Sequence, residues 1–235
     1  MDGPLELPTD TAGAASPPPP PRPRRWHELK DPFPAWSHWA GAALGVAALV
    51  ALLRAAHGPP QTVAFAVYGA SLIALYSASA VAHSLHREGP AAERFDRLDY
   101  AAIFVLIAGT YTPFCLVTLR GAWRWGLLSA VWSIAAIGIL TVYRARGTRH
   151  WPRVTLYVVM GWICVLAAGQ LVRALPPPAI RWLLAGGVVY TVGAVVYLAK
   201  RPNLWPGRFG YHDLWHCMVL VGSACHFLAV IGYVR

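Results

Sequence analysis

The chain has 235 residues, of which 57% are hydrophobic and 13% charged, and its formal net charge is +10. Soluble domains carry about a quarter charged residues, whereas here no Asp or Glu occurs between Ala101 and Tyr211. That excludes an ordinary soluble fold and points to an integral membrane protein whose basic excess sits in short loops, not on a nucleic-acid-binding face.

Residues 1–34 read as a proline-rich tail on the cytoplasmic side. Ser16 is followed by five prolines, and ten of the twenty prolines precede Ala35. Such a segment favours polyproline II or disorder and cannot bury a core. It lacks the apolar stretch of a signal peptide.

Residues 35–235 read as a membrane domain with seven apolar spans, each near the ~20 residues that cross a bilayer. They are predicted at about 36–55, 62–85, 99–119, 125–143, 154–173, 180–199 and 212–233. Gly58-Pro59-Pro60, Gly89-Pro90, Gly121, Gly147, Pro176-Pro177-Pro178, Pro202 and Pro206 punctuate them. The expected fold is an all-α, seven-transmembrane helix bundle. With the N-terminus inside, fourteen of the twenty Lys and Arg residues fall on the inner side. The positive-inside rule therefore predicts a cytoplasmic N-terminus and an outside C-terminus. Cys115, Cys164, Cys217 and Cys225 fall in or beside apolar spans and form no C-x-x-C pair, so they read as small core residues.

The polar residues of three spans gather at one predicted depth. The second span ends with Ser79 and His83, four apart and on one helix face. The third opens at Asp99-Tyr100, and the seventh opens His212-Asp213-Leu214-Trp215-His216. His212 and His216 are one turn apart, roughly 6 Å along the axis, so both rings can reach one ion. Three imidazoles, His83, His212 and His216, leave one tetrahedral position open, the pattern of a catalytic zinc. Asp99 is the candidate general base and Ser79 a hydrogen-bond partner in the same site.

Plainer structural readings exist for each residue. His83 would meet a helix C-terminus as a favourable cation. Asp99 or Asp96 would cap the third helix, and Ser79 would bond to its own backbone. His212 would be an interfacial residue. Asp213 makes the stretch H-D-x-x-H, a second choice for the base. His38 and His86 are spare ligand candidates. His226 lies about 15 Å beyond His216 and is out of reach of the same ion.

Ser79-x-x-x-His83, then Asp99-Tyr100, then His212-x-x-x-His216 with His226 downstream resembles the hemolysin III branch of the progestin and adipoQ receptor (PAQR) superfamily, over roughly residues 35–235. One departure is Pro34-Ala35 ahead of Trp36 and His38, where relatives tend to carry Arg-Gly. The resemblance implies seven helices with the N-terminus in the cytosol and a zinc ion near the inner face of a bacterial plasma membrane. It assigns the zinc to His83, His212 and His216. It places Asp99 at the water held there, with Ser79 as the family's serine. Kinship with alkaline ceramidases implies hydrolysis of a lipid amide, with a sphingolipid or fatty-acyl amide as substrate and membrane-lipid homeostasis as the setting. The alternatives are a cytolysin or channel, as the family label suggests, and a zinc-stabilised sensor or receptor without catalysis.

Overall fold

A computed structural model of the chain describes residues 29–86, 88–144 and 151–235. The proline-rich tail, apart from its last few residues, lies outside the described residues, as do Arg87, Arg146, Arg149 and His150. Among the described residues the fold is all helical, with seven helices long and apolar enough to cross a membrane.

In order these are α1 (Pro32–Ala55), α2 (Pro59–Ser84), α3 (Pro90–Pro113) with a π-turn (Phe114–Thr118), and α4 (Gly121–Arg144). The fifth span is built from α5 (Trp151–Trp162), a 3-10 turn (Ile163–Ala167) and α6 (Ala168–Ala174); α7 (Pro177–Ala199) and α8 (Tyr211–Tyr233) complete the set. Proline opens α1, α2, α3 and α7, where the missing N–H costs nothing because the first-turn donors have no partner within the helix. Gly58 and Gly89 precede two of these prolines with φ of 85° and 64°, which a side chain would oppose.

Neighbouring helices pack α1 on α2, α2 on α3, α3 on α4 and α7 on α8, and α8 returns to α1. Helices α2 and α3 are the most buried, while α7 keeps most of its surface outward. Leu44, Ile137, Leu166 and Val195 lie exposed on the outer surface. In water such side chains would be a liability; against lipid tails they are the expected exterior.

Two departures from regular helix shape the interior of the bundle. Pro113 cannot donate a backbone bond to Gly109, and the turn after it widens, closing with Leu119 N–H onto the Phe114 carbonyl at 2.8 Å. The fifth span breaks into a 3-10 turn at Ile163. Backbone groups freed inside a membrane must find partners, and Tyr111 of α3 supplies them. Its hydroxyl donates between the Met160 and Gly161 carbonyls at 2.9 and 2.7 Å and accepts from Cys164 N–H at 3.0 Å.

Helix α3 begins at Pro90, not at residue 99 as the hydropathy suggests. Asp96 and Asp99 therefore sit on its second and third turns, and the capping reading of either is wrong. Polar Glu93, Arg94, Asp96 and Arg97 extend the helix beyond the stretch apolar enough to be read as a span.

Candidate metal centre

The polar side chains of α1, α2, α3 and α8 meet at one end of the bundle. His83 lies in the last turn of α2, and His212 and His216 in the first two turns of α8. The start of α8 is fixed by Asp213, whose Oδ2 accepts from Gly210 N–H at 2.7 Å. This ties Asp213 into the helix cap, and it is not among the described residues that line the cavity of the three histidines, so Asp99, which does line it, is the better placed carboxylate.

The structure brings His83, His212 and His216 together: one ring nitrogen from each lies within 4.8 Å of the others. His212 Nε2 and His216 Nε2 are 3.2 Å apart. The ring centroids of His83 are 5.1 and 4.8 Å from those of His212 and His216. His83 and His216 are buried. Nitrogens at about 2.0–2.1 Å from a tetrahedral zinc stand roughly 3.3 Å apart, so the 3.2 Å separation fits two ligands on one ion without rearrangement. This group could hold a metal ion. Three uncharged nitrogen donors suit zinc, and no acidic ligand is required.

Two of the three histidines are braced through their other ring nitrogen. His83 Nδ1 is 2.9 Å from Asp31 Oδ2. The Asp31 main chain joins the same contact, its N–H donating to the His83 carbonyl at 3.0 Å, where the last turn of α2 leaves acceptors without helical donors. The His83 hydrogen bond holds the Asp31 carboxyl below its ordinary range against the opposing effect of partial burial. His216 Nδ1 is 2.8 Å from His38 Nε2. A metal bound at Nε2 requires the proton on Nδ1; Asp31 and His38 are the acceptors placed to take it. Carboxylate and imidazole partners of this kind orient metal ligands and raise their basicity.

His38 is not in the group of converging ring nitrogens; its Nε2 meets the far nitrogen of His216 instead, which makes it a partner of His216. Asp31 escaped the sequence reading altogether, because it sits at the end of the proline-rich tail, fifty-two positions from the histidine it holds.

Ser79 and Asp99 line the same cavity of about 170 Å³ as the three histidines, together with His38 and Asp31. The Ser79 hydroxyl lies within reach of the Asp99 carboxyl. At the rim, Lys30 Nζ stands 3.9 Å from Asp31 and 4.0 Å from Asp96, and Arg153 covers the Tyr100 ring at 4.0 Å. Exposed pairs such as these contribute little energy, but they place positive charge at the mouth of the site.

A second cavity of about 220 Å³ lies between α3, the fifth span, α7 and α8. Leu75, Ile103, Val154, Tyr157, Trp215 and Val219 wall both cavities, so they adjoin. Beyond that shared wall the lining is mostly aliphatic and aromatic, including Ile107, Val158, Leu171 and Leu184.

Residues 26–227 match the family described as haemolysin-III related. The chain belongs to that family. It is 40% identical over 206 residues to Hemolysin-3 of Bacillus cereus, covering 85% of this chain and 90% of that one. To a Hemolysin-3 homolog of Bacillus subtilis it is 35% identical over 205 residues, covering 85% and 92%. It is also 32% identical over 193 residues to the heptahelical transmembrane protein ADIPOR2 of Oryza sativa, covering 74% and 82%. These similarities join the haemolysin III chain to the PAQR superfamily. With seven apolar helices and bacterial relatives, it is a multi-pass bacterial membrane protein.

Proposed function

We infer that the haemolysin III chain is a zinc-dependent hydrolase of lipid amides, of the ceramidase kind, acting in membrane-lipid homeostasis. The observation that carries this reading is the adjacency of the two cavities: a three-histidine cluster beside a carboxylate shares a wall with an apolar cavity of the bundle. A pocket of that shape suits a molecule with one polar, reactive end and a long apolar chain.

Zinc at His83, His212 and His216 would supply Lewis acidity toward the amide carbonyl and lower the pKa of a bound water. The protein's own groups divide the remaining work. His83, His212 and His216 hold the ligand nitrogens, with Asp31 and His38 fixing the tautomers of the first and last. Asp99 takes the proton released as the acyl carbon gains its new oxygen and returns it to the amine as the C–N bond breaks. Ser79 orients the Asp99 carboxyl. The apolar chamber holds the acyl chain and keeps bulk water from the reacting end. The products are a fatty acid and an amine, as a sphingolipid or fatty-acyl amide would give. The positive-inside bias places this chemistry at the inner leaflet.

The test is release of fatty acid from N-acylsphingosine by protein reconstituted in nanodiscs. The wild type should turn over, Asp99→Asn should be slower by about 10²–10⁴-fold, and His212→Ala should be inactive. An unchanged rate in His212→Ala would sink the reading.

The name of the Bacillus cereus relative favours a second reading, a cytolysin or channel. A pore needs a polar path across the whole membrane, and the chamber beyond the histidines is apolar. Ion flux through liposomes holding the pure protein would favour the channel. A sensor without catalysis would bind zinc and turn over no lipid.

A further inference from the structure

The apolar chamber has one wall residue whose chemistry does not match its surroundings. His226 is the lone imidazole among its described lining residues. It lies ten positions beyond His216 on the same unbroken helix, so about 15 Å further along the axis. Its Nδ1 is buried and has no hydrogen-bond partner among the described residues. A neutral imidazole carries one donor and one acceptor, and a buried polar atom without a partner costs about 1–3 kcal/mol.

The ring's position is built by its neighbours. Tyr190 of α7 stacks on it, with centroids 5.6 Å apart and planes 15° from parallel. The Tyr190 hydroxyl is tied to Ser223 Oγ at 2.8 Å, and Tyr76 donates to the same oxygen at 2.7 Å. Opposite the ring, α7 carries Gly186; a Cβ there would stand 2.7 Å from His226 Nε2. Any side chain at 186 would push the imidazole out of place. Tyr68 of α2 lies in the same neighbourhood as Tyr76 and Tyr190, and its hydroxyl is the other buried side-chain polar atom without a partner among the described residues. His226 and Tyr190 thus stand in an apolar wall, backed by a polar cluster with unused hydrogen-bonding capacity.

We propose that His226 is a second, polar subsite of the chamber, which takes a lipid chain bearing a hydroxyl near its middle while the reactive head lies at the three histidines. The proposal rests on the lipid-binding reading above and adds the substrate class. A hydroxyl both donates and accepts, so it can pair with the imidazole in either tautomer. The spacing from His216 sets the hydroxyl about 15 Å from the head.

The test is equilibrium binding to wild-type protein in nanodiscs of two probes, stearic acid and a hydroxystearic acid with its hydroxyl near mid-chain. Each displaces a fluorescent fatty acid. The hydroxy acid should bind about 10-fold more tightly, the value of one well-made hydrogen bond. His226→Leu should abolish the preference without changing metal content, and His226→Gln should retain part of it. Equal or weaker binding of the hydroxy acid by the wild type overturns the subsite and needs no variant to fold. If both acids bind equally, the chamber remains a chain site and only the His226 proposal falls. If neither binds, both fall.

Discussion

At the residue scale, the geometry of the site depends on groups outside the three-histidine cluster. His216 is held through Nδ1 by His38, and His83 through Nδ1 by Asp31. Removing an outer partner of this kind typically costs 10–100-fold in metal affinity. His38→Ala should therefore weaken zinc binding by about 10–100-fold, while still reaching one ion per chain at saturation. Competition against a coloured chelator measures this; unchanged affinity would make the 2.8 Å contact incidental. The cluster of His83, His212 and His216 was legible in the sequence because the i,i+4 spacing of the last two and the positions of all three at span ends are local properties. The braces were not. His38 and His216 are 178 positions apart, and nothing in either neighbourhood names the other. Asp31 precedes the first apolar residue run and looked like tail. Its docking onto the end of α2 is a tertiary event that hydropathy does not register.

At the element scale, the seven spans were readable and their irregularities were not. Hydropathy follows the thickness of the bilayer, so it found each span but began α3 at residue 99 instead of Pro90. The π-turn after Pro113 has a local cause in the proline. The 3-10 break at Ile163 has no such marker, because its backbone partner, Tyr111, comes from another helix. That break lets Gly161, Trp162, Cys164 and Val165 line the chamber, so an irregular segment contributes to the space a ligand would occupy. Tyr111→Phe removes the acceptor of Cys164 N–H and the hydroxyl donor shared by the Met160 and Gly161 carbonyls. It should destabilise the protein by about 1–3 kcal/mol, read as a lowered midpoint of thermal unfolding in detergent. An unchanged midpoint would mean the break is satisfied otherwise. Close helix contact follows the same logic. Gly222 and Gly193 of the α7–α8 pair lie under the rings of Tyr190 and Trp215, where a Cβ would come to 2.8 and 3.0 Å. Small residues set that spacing, and with it the position of the wall shared by the two cavities.

At the scale of the whole molecule, the bundle separates its polarity. Three histidines, Asp31, Asp96 and Asp99 lie at one end, and the apolar chamber adjoins them across a shared wall. The sequence anticipated that asymmetry through the lack of acidic residues between Ala101 and Tyr211. It did not reveal that α3, α7, α8 and the fifth span frame a chamber, since cavities depend on how helices tilt and pack. Filling the chamber should change which chains are accepted and leave the metal alone. Gly161 lines it, and a Cβ there meets nothing within 4 Å. Gly161→Phe should shift fatty-acid release toward shorter acyl chains at unchanged zinc content. Loss of turnover for every chain length alike would contradict the chamber's role.

The most direct test of the three-histidine metal centre is the zinc content of detergent-purified protein, prepared without chelators, beside His212→Ala/His216→Ala. One zinc per chain is expected in the wild type and none in a variant that still folds. Wild-type protein without metal, or a folded double variant that keeps its zinc, would contradict a zinc site at His83, His212 and His216.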